Sequence, residues 1–198
     1  MDFFSSFFQN ETKPFLEEQQ WLNECIEWIV EVIGFENLAK TTHHFNKETF
    51  PISFQEESFS MTFFLKDICP LLQIKSNQIL IETSTEKKER DFVIKQITKS
   101  DKTYYQIILY NFNSNKPIIA IRQGIFALTL IRLIENNFQY DYTQNNSIII
   151  YIAMTFLGFG NFVSYTKSSN AILFKGIEIP MKQYAYINAF IAWLQNSN

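Results

Sequence analysis

Two histidines stand side by side, His43 and His44, with Glu48 a few residues further on. Imidazole and carboxylate groups hold zinc, and a zinc-bound water is a hydrolytic nucleophile at neutral pH. Adjacent side chains in a loop diverge, so both rings reach one ion only where the backbone bends sharply. A polar surface loop is the better expectation for these residues. A hydrolase with a metal site relocated to His43, His44 and Glu48 is the alternative. Cys25 and Cys69, the only cysteines, lie beside Ile26 and Ile68. Such surroundings predict two buried free thiols, neither a disulfide nor an activated nucleophile. No C-x-x-C pair, no G-x-S-x-G and no Walker-type glycine loop occurs, which removes the usual signatures of zinc ribbons, acyl-transfer elbows and phosphate cradles. Gly158-Phe159-Gly160 carries two-thirds of a dinucleotide fingerprint but follows no strand signal. Within an apolar helix the two glycines instead mark a close helix–helix approach.

The elements that must position these groups are legible in outline. Apolar residues recur at helical spacing over 15–33 (Trp21, Leu22, Cys25, Ile26, Trp28, Ile29, Val32 and Ile33), and Gly34 stops that helix. Residues 35–52 lack a period and read as a long loop. Ser53 and Glu56 have capping-box spacing and open a helix through Phe59, Phe63, Phe64 and Ile68, which Pro70 should end or kink. Three β-branched or aromatic runs follow, at 78–82, 92–97 and 104–110. The charged stretch 86–91 between the first two is expected to be a solvated hairpin turn. Pro117 starts a helix through Ile121, Ile125, Leu128, Ile131 and Leu133. Residues 147–163 form a segment buried on all sides, 171–179 a short hairpin, and Pro180 opens a last helix with Tyr184, Ile187, Ile191 and Leu194 on one stripe. The order of elements predicts an α+β fold.

The chain has 198 residues, 46% of them hydrophobic and 19% charged. That suffices for one sizeable core and is too apolar for a disordered chain. A net charge of -3 argues against a nucleic-acid partner, which a basic excess would mark. The run 148–163 is shorter than the ~20 residues a spanning helix needs, so no membrane partner is expected. The start, Met1-Asp2-Phe3-Phe4, puts an acid where a signal peptide carries a base. With two free thiols, this points to a reducing cytoplasm.

Three stretches, in order, resemble a family of bacterial proteins similar to small zinc-dependent peptidases. The first is Trp21-Leu22-Asn23-Glu24-Cys25-Ile26-Glu27-Trp28-Ile29, followed by Thr49-Phe50-Pro51 and Lys66-Asp67-Ile68-Cys69. The second is Tyr105 to Leu133. The third is Thr155-Phe156-Leu157-Gly158-Phe159-Gly160-Asn161-Phe162 with Tyr184-Ala185-Tyr186, Ala189 and Trp193-Leu194. In that family a strand leads into a helix carrying H-E-x-x-H, whose histidines bind zinc on one helical face while the glutamate activates water, and a later helix adds an acidic ligand. Laid on this chain, the histidine positions fall on Gly124 and Leu128, the base on Ile125 and the acidic ligand near Tyr151. None of the four supplies the required group, so the resemblance implies a degenerate member with its site plugged by apolar side chains, Tyr151 entering the space beside Gly124 with its hydroxyl on a backbone partner.

The resulting expectation is an α+β chain, mainly helical with a small antiparallel sheet and a zincin-like core. It forms a single domain over residues 1–198, in which a helical region (residues 1–75) packs on a zincin-like region (residues 76–198). No catalytic residue, metal or cofactor is expected. Its function would be that of a non-catalytic interaction protein, such as an inhibitor, an immunity-type partner or a regulatory subunit. The protein partner would be met through Phe3, Phe4, Phe7, Phe8, Tyr140 and Tyr142, aromatic anchors if they share one patch.

Overall fold

The computed structural model describes residues 13–44, 46, 48–51, 61–88, 92–110, 117–140, 144–162, 171–174 and 177–196. Helix α1 (Lys13–Ile33) is followed by α2 (Met61–Leu71), three strands β1 (Ile79–Thr83), β2 (Phe92–Lys99) and β3 (Lys102–Leu109), helices α3 (Pro117–Ile134) and α4 (Gln144–Phe156), a small hairpin β4 (Ala171–Phe174) and β5 (Ile177–Pro180), and helix α5 (Met181–Asn196). The fold is α+β. The capping box at Ser53 lies outside the described residues, and Pro70 sits in the last turn of α2, which ends one residue later at Leu71.

The sheet corrects one expectation. It is mixed, not antiparallel, with strand order β1-β3-β2. β2 and β3 pair antiparallel across Ser100 and Asp101, whose positive φ values of 47° and 59° make the mirror-type turn that matches strand twist. β1 instead runs parallel to β3, from Ile79 beside Tyr105 to Thr83 beside Leu109. The charged stretch after β1 is therefore no hairpin turn. β1 and β2 are not neighbours: β3 lies between them, which sets them two strand spacings or about 10 Å apart. The reason lies in β3, whose Tyr105, Ile107 and Leu109 are buried on one face. A strand with that much apolar surface belongs at the centre.

Helix α3 packs on this inner face, where Phe126 meets Phe92 at 5.4 Å between ring centroids. On its other sides α3 meets α2 and α4, and α4 in turn packs on α1 and α5. One cluster of buried side chains runs from Leu22 of α1 to Ile191 of α5. α4 is enclosed on nearly every side, with Ile148, Ile150, Tyr151, Ile152, Ala153, Met154 and Phe156 all buried, which is why its sequence is apolar without a period. No helix among the described residues is long and apolar enough to cross a membrane.

The buried segment is not one helix through Val163, as the sequence suggested. α4 stops at Phe156. Gly158 takes φ +84°, its N–H bonds the Thr155 carbonyl (3.0 Å), and the Phe159 N–H bonds the Met154 carbonyl (2.7 Å). This is a Schellman cap, and the left-handed position favours glycine.

Candidate functional site

The four positions singled out by the resemblance lie in the helical layers. Ile125 and Leu128 are completely buried on α3. Gly124 sits where α3 passes closest to α2: a Cβ there would stand 2.7 Å from the Phe64 ring. The space beside Gly124 thus belongs to Phe64, which corrects the expectation that Tyr151 fills it. Tyr151 reaches α5 instead. Its ring stacks on Tyr184 (5.6 Å between centroids), and its hydroxyl accepts a hydrogen bond from the Asn188 side chain at 2.6 Å. Burial first of all pushes the phenol up and keeps it protonated. Two aliphatic side chains, a glycine and a neutral, hydrogen-bonded phenol do not fit a zinc ligand set, which needs lone pairs from deprotonated or neutral donors.

The cap of α4 builds the next feature. Residues 39–43 form a strap over the end of this helix. The Ala39 N–H bonds the Phe156 carbonyl (3.0 Å), the His43 N–H bonds the Gly158 carbonyl (2.8 Å), and Gln195 of α5 donates to the Ala39 carbonyl (2.7 Å). Gly158 permits this approach: a Cβ there would fall within 2.9 Å of Ala39, His43 and the Thr41 carbonyl. Its close neighbour is therefore the strap and not a second helix. The His43 ring lies on Phe159, 4.6 Å between centroids. Burial, then the neighbouring His44, lowers its pKa, against a smaller raising effect of the Leu157 backbone. His44 and Glu48 are exposed. Among the described residues no three of His, Cys, Asp and Glu come together as metal donors. Cys25 and Cys69 are buried free thiols pushed up to about 12, in both cases mainly by burial, so neither is a nucleophile at neutral pH.

Between the strap, the end of α4 and α5 lies a cavity of about 230 Å³. Its polar wall is Thr42, Thr155, Asn161, Asn188 and Gln195; Gly160, Ile191 and Ala192 complete it. Thr155 donates to the Tyr151 carbonyl (2.9 Å), and Asn188 donates both to the Tyr151 hydroxyl and to the Tyr184 carbonyl (2.7 Å). These side chains are held before any ligand arrives. Sequence reasoning missed all five. The available signal was Thr155 interrupting an apolar run, together with Asn188 and Gln195 seven apart on one helical face.

Of the expected aromatic surface, Phe3, Phe4, Phe7, Phe8 and Tyr142 lie outside the described residues. Tyr140 is half-buried beside Phe138 (6.5 Å), which packs on Trp28 (5.6 Å), and it borders a cleft of about 310 Å³ between α3 and the sheet. Compared with protein families, curated proteins and solved structures, the chain matches none.

Proposed function

We propose that the chain is a non-catalytic binding protein of the cytoplasm, on a scaffold related to small zinc peptidases whose zinc-ligand and base positions no longer carry the required groups. The supporting observation is the state of those positions. Ile125 and Leu128 are fully buried, the gap at Gly124 is taken by Phe64, and the Tyr151 hydroxyl accepts a hydrogen bond from Asn188. A protein that keeps such a core without donors acts by surface complementarity, and its partner is another protein. The free thiols Cys25 and Cys69 suit a reducing compartment.

The test is metal analysis of protein purified without chelator, with proteolysis of casein measured before and after zinc is added. Zinc well below one per chain and no zinc-dependent cleavage are expected. One zinc per chain, lost in His43→Ala, would establish the relocated hydrolase instead.

A further inference from the structure

We infer that the cavity between the 39–43 strap, the end of α4 and α5 is a binding site for an uncharged carboxamide group. The lining sets the class. No acid or base stands among the described residues that line it; the polar wall is three carboxamides and two hydroxyls. A charged ligand would lose its hydration there without a counter-charge, whereas a neutral group with paired donors and acceptors exchanges its water bonds for protein ones.

The hydrogen-bond inventory narrows it further. Asn188 spends both amide hydrogens inward, on Tyr151 and Tyr184, which leaves its carbonyl oxygen as an acceptor. Gln195 spends one N–H on Ala39 and keeps a second N–H beside its own carbonyl. An amide ligand offers the complement: an NH₂ for the Asn188 oxygen and a carbonyl for the Gln195 or Asn161 NH₂. Ile191 and Ala192 form an apolar side for the carbon stem. The volume of about 230 Å³ admits a group the size of a glutamine side chain with a few waters. Such an amide is carried by a free small molecule or by an Asn or Gln of a partner peptide.

For the peptide source the inference rests on the binding reading above, and the two fail separately: retained zinc would sink that reading while leaving the amide titration intact. The experiment is a ¹⁵N NMR titration of the full chain with N-acetyl-glutamine methylamide and with the peptide Gly-Gly-Gln-Gly-Gly. Their glutamate counterparts and glycerol serve as comparison probes. Saturable shifts of the Asn161, Asn188 and Gln195 side-chain amides at about 10 mM or below are expected, with the glutamate probes at least ~10-fold weaker. Tighter binding of the peptide assigns the amide to a partner chain; equal binding assigns it to the group itself. Ala192→Leu should fill the cavity and abolish the shifts at an unchanged melting temperature. Asn161→Ala, at an exposed position, should weaken binding several-fold and carries the test if the leucine variant does not fold. Overturning results are no saturable shift with either amide, equal binding of glutamate probes or glycerol, or both variants binding like the parent.

Discussion

At the scale of single residues, the stability of this chain rests on how buried polar atoms are satisfied. Tyr151→Phe removes the acceptor of one Asn188 hydrogen, and the cost should be about 1–2 kcal/mol in denaturant unfolding. Thr129 is the opposite case: its hydroxyl is fully buried and has no hydrogen-bond partner among the described residues. Thr129→Val keeps the shape and removes the orphan, so it should raise stability by about 1 kcal/mol in the same assay. His43 makes folding pH-dependent. Its folded pKa lies below the ordinary 6.5, so the unfolded chain binds the proton more readily. The stabilisation is complete above pH ~6.5 and is lost as pH falls through the lowered folded value. Melting curves of the parent and His43→Gln, run between pH 7.5 and 5, should converge towards acid; parallel curves would show that the ring stays indifferent to its proton. None of these roles was visible in residue type alone. Tyr151 looked like a lost ligand, and only the arrival of α5 reveals a hydrogen-bond acceptor.

At the scale of elements, helices and strands were legible because their signals are local. The stripe Leu22, Cys25, Ile26, Ile29 and Ile33 forms one buried face of α1, and β-branched runs mark β1 to β3 within a residue or two at most ends. Pairing was not legible. The charged stretch after β1 has turn composition, and turn composition does not say which slot the chain reaches next. That was decided by β3, the strand with the most apolar surface to cover. The end of α4 was missed for a similar reason: Gly158 reads as helix–helix contact until the strap is seen lying on it. Gly158→Ala should therefore cost about 1–3 kcal/mol, since it combines a left-handed φ with contacts under 3 Å, one of them to backbone oxygen. A full-strength melting transition in that variant would show that the strap can be displaced freely.

At the scale of the whole molecule, one core ties the first helix to the last, so the two thiols report on global opening. Cys25 and Cys69 should resist an aromatic disulfide reagent in the native state and react together on unfolding in denaturant. Fast labelling of either in buffer would reveal a local opening instead. The carboxamide-lined cavity illustrates why the site was the least legible feature. Its wall comes from the strap, α4, the turn after it and α5, and each residue alone is an ordinary polar side chain on its own element. The Gln195–Ala39 hydrogen bond joins positions 156 residues apart. During synthesis the Ala39 carbonyl therefore stays unclaimed by Gln195 until α5 has been made. A fragment that stops short of α5 would keep the strap's two backbone bonds to the end of α4 but lose the bond that pins the strap from outside, so α5 acts as the latch on residues 39–43.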